Sequence, residues 1–340
     1  MNRLTHYFGM AMKVSFPRML PKLVNYAKRK LRKPTPLVKN YAPQIVSLVM
    51  INRCNLRCKF CAYANNGVFD GEKSEVTLDS VKTMFSHPLL KKAIVVDLLG
   101  GEPLLCKDLP EIIAFFASHG CLTNLVTNGI LLADKIYELK KAGITSVNVS
   151  IYSENINVLR NTLYGINKIF PVQTSYVLTK SQIEENPQEI MEIIEMSKNS
   201  GCKFMTFNIF IPGGKNANFN DVITDDLPAY HSLLAQVKNK FNDFVLWRPV
   251  VHSSKNEGSG VFDKKCRDLW KKITVNANGE IIPCCGIAPY CLPNVNVFTS
   301  TADEIYNHPD MVELRNNLLN KSIPAPMVCQ TCHLLGEAGW

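Results

Sequence analysis

Six apolar, strand-like runs alternate with helical segments, and this repetition restricts the fold more than any other feature of the chain. The runs cover residues 44–51, 93–99, 121–127, 146–152, 172–178 and 203–210. Repeated strand–helix units predict parallel strands joined by right-handed crossovers. Six units are two short of a closed eight-unit barrel. We therefore expect an α/β fold with a partial (β/α)6 TIM-like barrel, whose functional residues cluster at the carboxyl ends of its strands.

One connecting segment carries clear helix boundary signals. Asn186 occupies the N-cap position, Pro187 the first helical position, and Glu189 the position that would complete a capping box. Gly201 follows the last helical turn. These residues predict a helix that begins at residue 187 and ends before residue 201.

The strand–helix rhythm stops near residue 260. Asn278-Gly279 lies between two short apolar runs and predicts the turn of a β-hairpin, and residues 301–320 have a helical pattern. We expect a leader over 1–43, the barrel over 44–259, and a small hairpin-plus-helix domain over 260–340.

Hydropathy places the chain among cytoplasmic proteins. It has 340 residues, of which 46% are hydrophobic, but no apolar run reaches the ~18 residues that span a bilayer. Lys13, Pro17 and Arg18 interrupt the stretch where a signal peptide would be continuously apolar. In such a chain, 12 cysteines indicate metal binding or catalysis rather than disulfides.

The positive charge is concentrated at the start of the chain. Residues 1–69 contain 13 Lys and Arg and no Asp or Glu, whereas the whole chain has a net charge of +9. Apolar residues recur at helical spacing among these basic ones, at Leu20, Leu23, Val24, Ala27 and Leu31. Such a helix either contacts an anionic membrane surface, which would suit a lipid-linked substrate, or packs on the barrel. We expect no nucleic-acid binding, because aromatic residues do not interleave with the basic ones.

Three closely spaced cysteines follow the first strand. Cys54, Cys58 and Cys61 form the pattern C-x3-C-x2-C. Thiolates are soft ligands for iron–sulfur clusters or zinc. A structural zinc site closes its shell with four ligands, whereas three leave one position open for a substrate or cofactor. Zinc binding and buried structural thiols remain the alternatives.

The pattern, with Phe60 before the last cysteine, resembles the signature of radical S-adenosylmethionine (radical SAM) enzymes. The resemblance implies that the three catalytic thiolates hold a 4Fe–4S cluster. Its open iron would bind the amino and carboxylate groups of SAM, and its electron would yield a 5′-deoxyadenosyl radical. A family-like GGEP motif follows the second strand, with Gly100, Gly101, Glu102 and Pro103. Glycines permit close approach, and Glu102 would hold the methionine amino group.

Other SAM contacts are implied by the same resemblance. Asn128 ends the third strand within VTNG, although an Asn-Gly turn is nearly as good an interpretation. Ser150 stands where the family often places a ribose ligand, but SIYSEN replaces the more familiar Ser-x-Asp-Gly ending. Thr179 and the backbone near Ile211 would line the adenine side.

A second cysteine set occupies the C-terminal part. Cys266, the Gly279-x4-Cys284 spacing and the closing Cys329-x2-Cys332 resemble the SPASM/twitch extension of radical SAM enzymes. This implies a second, auxiliary 4Fe–4S cluster with four cysteine ligands. By spacing alone, four thiolates also suit a zinc ribbon. Cys285 and Cys291 are not needed for this ligand set. Either one could donate a hydrogen atom to a substrate radical, or both are ordinary packed or surface thiols.

The resemblance implies an oxidoreductase. We expect reductive cleavage of SAM, abstraction of a hydrogen atom from a carbohydrate-like or cyclitol-like substrate, and acceptance of an electron by the auxiliary cluster. A flavodoxin- or ferredoxin-type donor would supply the first electron. The alternatives are a peptide-modifying maturase, a radical epimerase that uses Cys285 or Cys291, and a non-enzymatic zinc- or cluster-binding interaction protein.

Overall fold

One mixed sheet of nine strands organises the part of the protein that the structure describes. The computed structural model describes residues 34–39, 43–213, 218–247 and 268–320, together with Lys22 and Cys266. The strands are β1 Ile45–Val49, β2 Val95–Leu99, β3 Leu122–Thr127, β4 Ser146–Ser150, β5 Gln173–Leu178, β6 Met205–Ile209, β7 Val245–Trp247, β8 Lys272–Asn276 and β9 Ile281–Ile282.

The helices that are described in full lie mainly between these strands. They are α1 Ala62–Asn65, α2 Leu78–Ser86, α3 Leu109–Ser118, α4 Leu132–Ala142, α5 Ile156–Ile169, α6 Lys180–Glu185, α7 Pro187–Asn199, α8 Pro228–Phe241, α9 Asp268–Lys271, α10 Ala302–Tyr306 and α11 Pro309–Asn320. Among the described connections, three contain a single turn of 3-10 helix, at Val68–Asp70, Pro103–Leu105 and Phe219–Asp221.

The strand order confirms the partial barrel. From β7 back to β1 the strands are neighbours in chain order, and every pair among them is parallel. All six predicted strands are present. The short strand β7 was not predicted, because its three residues carry no usable periodicity.

The predicted hairpin is present, and it belongs to the barrel sheet. β8 and β9 are antiparallel, and Gly279 in their turn has a φ of +82°. On its other side β8 pairs in parallel with β1, from Ile45 beside Lys272 to Val49 beside Asn276. The boundary at residue 260 stays a prediction, and the strand just after it is continuous with the barrel.

The two faces of the sheet differ in polarity. Side chains such as Val46, Leu48 and Val96 point to the helices and form the large core with residues such as Ile112 and Leu159. Because side chains alternate along a strand, the residues between them occupy the other side, which we call the inner face. Its polar members include Ser47, Asp97, Asn124, Asn148, Gln173, Thr206 and Lys272.

Helix α7 has the predicted bounds but not the predicted capping box. Asn186 is its N-cap, yet the Asn186 side chain makes no capping hydrogen bond. The same residue ends α6, and its N–H donates to the carbonyl of Gln182. Its backbone, at φ −136° and ψ 48°, serves the end of one helix and the start of the next. The capping box lies one helix earlier, between Thr179 and Gln182.

Most of the leader lies outside the described residues. Lys22 is an exception: it is 8% exposed, and its Nζ donates to the Ala93 carbonyl at 2.8 Å and contacts Cys121 Sγ at 2.9 Å. Residues 34–39 contact the C-terminal part, where Val38 N donates to Asn307 Oδ1. Within the residues that are described, no helix has the length and apolar character to cross a membrane.

Candidate active site

The three cysteines lie on the loop that leaves the carboxyl end of β1. Cys61 is the N-cap residue of α1, and its N–H donates to the Cys58 carbonyl at 3.0 Å. Cys58 is buried, whereas Cys54 and Cys61 are half-buried. The loop thus keeps the outer two thiols partly accessible at the end of the barrel where function is expected.

Burial affects the protonation of two of these thiols. It raises the pKa of Cys54, and it raises the pKa of Cys58 to about 12, to which the nearby charges of Glu154, Cys61 and Cys54 add. Iron ions bound at these thiols would stabilise the charged thiolate forms. Over the ranges that the structure covers, no group of three Cys, His, Asp or Glu side chains is arranged to hold a metal ion.

The GGEP segment packs directly against the cysteine loop. Gly101 N donates to the Ile51 carbonyl and Glu102 N to the Arg53 carbonyl, both at 2.8 Å. A Cβ on Gly101 would overlap the Arg53 carbonyl oxygen. Gly100 has a φ of +141°, and a Cβ there would lie 2.9 Å from the Ile51 carbonyl oxygen. Glycine is therefore required at both positions, because the two backbones touch.

Glu102 is buried and is held by the chain itself. It is 1% exposed. Oε1 accepts hydrogen bonds from Leu104 N at 3.0 Å and Thr127 Oγ1 at 2.6 Å, and Oε2 accepts one from Asn128 N at 2.8 Å. Burial raises the pKa of Glu102, and these hydrogen bonds oppose the rise. The carboxylate joins the end of β2 to the end of β3, while its contact with a methionine amino group stays a prediction. Pro103, also predicted to contact SAM, starts a buried 3-10 turn.

Asn128 lies against the cysteine loop, and its predicted contact with SAM stays a prediction. Its Nδ2 donates to Asn55 Oδ1 at 2.8 Å and lies 3.9 Å from Cys54 Sγ. Its Oδ1 accepts from Ile130 N at 3.1 Å. The side chain therefore connects the end of β3 to the loop that carries the first thiol.

Asn155 belongs to this site and was missed from the sequence. It is 1% exposed, and its Nδ2 donates at 2.7 Å to the carbonyls of both Asn128 and Ser150. Its Oδ1 accepts from Tyr152 N at 2.7 Å. This amide fixes the ends of β3 and β4 relative to each other. The signal was an asparagine just before a helix, which indicates a cap rather than a bridge between strands.

The remaining predicted residues lie on the cysteine loop and at the carboxyl ends of β4, β5 and β6. Ser150 Oγ lies 3.4 Å from Ser175 Oγ, and the Phe60 ring contacts the ring of Tyr152 at 4.6 Å between centroids. Ile211 follows β6 and is partly exposed. Thr179 is buried, and its hydroxyl accepts from Gln182 N as a helix cap.

The second cysteine set is only partly described. Cys266 and Cys284 are half-buried and pack against the main core, whereas Cys329 and Cys332 lie outside the described residues. Cys285 is exposed. Cys291 instead packs on the inner face, in a small apolar cluster with Val49, Ile282, Ala288, Tyr63 and Leu99. Burial raises the pKa of Cys291 to about 11, with a contribution from the charge of Glu280.

Comparison with known proteins identifies the family. The model for the radical SAM superfamily matches residues 48–225, more than half of the chain. The chain belongs to the radical SAM superfamily. A second model, for the SPASM iron–sulfur cluster-binding domain, matches residues 266–333.

Similar radical SAM proteins differ in their named activities. The GTP 3′,8-cyclase of Helicobacter pylori is 32% identical over 166 residues, which cover 45% of this chain and 52% of that enzyme. This chain thus spans about half the length of that relative. The AdoMet-dependent heme synthase of Methanosarcina barkeri is 28% identical over 292 residues, or 75% of this chain and 80% of that one. The crystal structure of Streptococcus suis SuiB bound to S-adenosylmethionine superposes with a TM-score of 0.62, at 15% identity, over 88% of this chain and 77% of SuiB.

Membership of the radical SAM superfamily defines the cofactors. The two domains imply a SAM-binding 4Fe–4S cluster and an auxiliary iron–sulfur cluster. Cys54, Cys58 and Cys61 share one loop within the matched radical SAM segment, and thiolates are the ligands that such a cluster takes, but their assignment to the first cluster stays a prediction. The assignment of Cys266, Cys284, Cys329 and Cys332 to the second stays a prediction. The chain therefore combines a radical SAM domain with a SPASM domain.

Proposed function

We propose that this radical SAM enzyme dehydrogenates a carbohydrate-like or cyclitol-like small molecule. The observation that supports the proposal is the inner face, which is polar in mid-strand and partly exposed. In a sheet that serves only as a scaffold, the interior of a barrel is filled with apolar side chains. Here the half-open interior instead offers hydroxyl, amide and charged groups, which suit a substrate rich in hydroxyl groups.

The overall change removes two hydrogen atoms from a carbinol. When bound, the first cluster supplies the electron that cleaves SAM, so that the resulting nucleoside radical can remove one hydrogen atom from carbon. The substrate then loses a proton and an electron as the carbonyl forms, and an iron–sulfur centre in the SPASM domain is the class of acceptor that balances the electron. The chain's own residues hold the substrate and exclude water.

Anaerobic product analysis tests the proposal. The reconstituted protein is given SAM, dithionite and a panel of sugars and cyclitols, and products are measured by mass spectrometry together with 5′-deoxyadenosine. We expect a ketone that has two hydrogen atoms fewer than its substrate. Products that form only from a peptide would favour the maturase alternative. If the protein instead binds zinc and leaves SAM intact, the result would favour the non-enzymatic alternative, an interaction protein.

The position of Cys291 favours epimerisation as a second candidate. Cys291 lies on the inner face beside Val49 and Leu99, at the same end of the strands as the cysteine loop, whereas Cys285 is exposed. A thiol there can return a hydrogen atom to a substrate radical, and the thiyl radical that remains would be restored by one electron from an iron–sulfur centre in the SPASM domain and one proton from solvent. In D2O, an epimerase would introduce one deuterium into a product of unchanged oxidation state, and Cys291→Ala would abolish this labelling. Dehydrogenation would produce the ketone without solvent deuterium at that carbon.

Contact of the leader with a membrane, and a lipid-linked substrate, are separate proposals. Lys22 is buried against Ala93 and Cys121, so at least this basic side chain contacts protein. Co-sedimentation with vesicles that contain anionic lipid tests the remaining basic residues. Binding that weakens with salt would support membrane contact, and its absence would refute it.

A further inference from the structure

The centre of the inner face carries a linked set of polar side chains. Asp97 on β2 accepts hydrogen bonds from Ser47 Oγ at 3.2 Å and Asn124 Nδ2 at 3.1 Å. Lys272 Nζ on β8 lies 3.6 Å from Asp97 Oδ2. The two charged side chains are about one-fifth exposed. Together they form a site without net charge in the middle of the strands.

Three amide side chains on the same face each have a buried oxygen. Asn124 Oδ1, Asn148 Oδ1 and Gln173 Oε1 are buried and have no hydrogen-bond partner within the part of the chain that the structure describes. Asn148 and Gln173 are register partners on β4 and β5. A buried acceptor without a donor lowers stability, and native proteins rarely keep one without a reason. Because Asn124, Asn148 and Gln173 are each partly exposed as whole residues, rotation of the side chain would bring each oxygen to an external donor.

We propose that Asp97, Lys272, Asn124, Asn148 and Gln173 form a substrate-binding subsite for a neutral polyol. The inference rests on the proposed function and deepens it. A hydroxyl group donates and accepts hydrogen bonds, so one polyol can donate to the amide oxygens and to Asp97 and accept from Lys272. A phosphate or carboxylate would be repelled by Asp97 and by the three acceptor oxygens. An ammonium group would be repelled by Lys272.

The position of the subsite fits the cysteine loop above it. Asp97 precedes Gly100 by three residues, and Asn148 precedes Ser150 by two. At about 3.3 Å per residue of strand, the subsite lies roughly 7 to 10 Å below the strand ends. A compact polyol held there presents its far side to the end of the barrel that carries Cys54, Cys58 and Cys61.

Ligand-induced thermal stabilisation tests the subsite without any turnover. The anaerobically reconstituted full chain is mixed with SAM but no reductant, and the melting temperature is followed against myo-inositol, D-glucose, glucosamine, GTP and inorganic phosphate. The test variants are Gln173→Met and Asp97→Asn, which nearly conserve shape. The matched controls are Gln236→Met and Asp134→Asn, at exposed helix positions.

We expect myo-inositol or glucose at low millimolar concentration to raise the melting temperature of the wild type and both controls. In each test variant, about tenfold more polyol should be needed, because a hydrogen bond at the subsite is lost. General stabilisation by polyols as osmolytes would act equally on all variants. The melting temperature of each variant without ligand shows whether that variant folds. If one test variant does not fold, the other alone is enough to test the subsite.

Three results would overturn the subsite: no stabilisation by a neutral polyol, stronger stabilisation by GTP, phosphate or glucosamine, or equal responses of test and control variants. Failure of the proposed function is distinguishable. A polyol that binds through Asp97 and Gln173 but is not oxidised after dithionite is added would leave the subsite standing and refute dehydrogenation. Oxidation that proceeds equally in both test variants would refute the subsite alone.

Discussion

At the residue scale, the two adjoining glycines after β2 control how closely the GGEP segment approaches the cysteine loop. We expect Gly101→Ala to displace the Arg53 carbonyl and with it the loop that starts at Cys54. The iron content of the reconstituted protein should fall by about half, to the roughly four irons of one remaining 4Fe–4S cluster. Iron and sulfide analysis measures this directly.

The matched control for this substitution is Gly165→Ala in α5. A Cβ at Gly165 meets nothing within 4 Å, and alanine is the better helix former by about 1 kcal/mol. Gly165→Ala should therefore keep the full iron content and unfold at a slightly higher temperature. Full iron in Gly101→Ala would mean that the loop tolerates the displacement.

Glu102 supports a second prediction at this scale. Glutamine in its place has one acceptor oxygen, whereas Leu104 N, Thr127 Oγ1 and Asn128 N all donate to the carboxylate. The N–H2 group of the substituted side chain would face at least one of these donors. We expect Glu102→Gln to lower the free energy of unfolding by about 1 to 3 kcal/mol, as measured in urea. Glu184→Gln, on an exposed side chain, should leave it unchanged.

Sequence patterns located the residues of this site better than they described their contacts. Gly100, Gly101 and Asn128 were predicted, and the structure brings all three to the cysteine loop. The burial of Glu102 could not be predicted, because the Thr127 hydroxyl that binds it comes from the next strand. Asn155 was missed for a similar reason, since both carbonyls that it binds belong to strand ends that adjoin only in the fold.

At the element scale, the connection from α6 to α7 shows which side chain caps a helix. Thr179 accepts from Gln182 N, while the Asn186 side chain makes no capping bond. We expect Thr179→Ala to lower the free energy of unfolding by about 1 kcal/mol, and Asn186→Ala to have a smaller effect. Urea denaturation of the two variants in parallel checks this. A larger loss of stability in Asn186→Ala than in Thr179→Ala would show that the Asn186 side chain is the more important cap.

Strand positions could be predicted because each apolar run is bounded by polar residues and followed by a helix. The neighbours of the strands were predictable only where the chain order decides them. β8 carries an ordinary alternation of residues, Lys272, Ile273, Thr274 and Val275, which indicates a strand without indicating its partner. Pairing with β1 depends on how far the barrel curves, and periodicity contains no information about that.

At the scale of the whole molecule, the two cysteine sets predict a simple iron count. The reconstituted wild type should contain about eight irons per chain. Replacement of Cys54, Cys58 and Cys61 by alanine should leave about four and abolish the formation of 5′-deoxyadenosine. A protein that binds four irons before and after the change would place the only cluster in the SPASM domain.

The pairing of β8 with β1 predicts that the barrel and the strand after residue 268 unfold together. Trp270, which is 7% exposed, reports on this region when Trp247 and Trp340 are replaced by phenylalanine. Val275→Ala, at a fully buried position of β8, should lower the free energy of unfolding by about 2 kcal/mol. Trp270 fluorescence and far-UV circular dichroism should give coincident urea transitions. Val275→Ala should shift both transitions equally to lower urea concentration.

A change confined to the fluorescence transition would show that the C-terminal segment unfolds independently. Val158→Ala is the control, because Val158 lies on an exposed position of α5, and it should shift neither transition appreciably.

The pairing of β1 with β8 also has a consequence for synthesis. β1 is made first among the strands, yet one of its two neighbours begins at Lys272. At roughly 5 to 20 residues per second, the ribosome leaves one edge of β1 without its partner for at least ten seconds or so. An open strand edge is a template for pairing with other chains. The nascent chain therefore passes through a period in which aggregation competes with completion of the sheet, and slow translation would prolong that period.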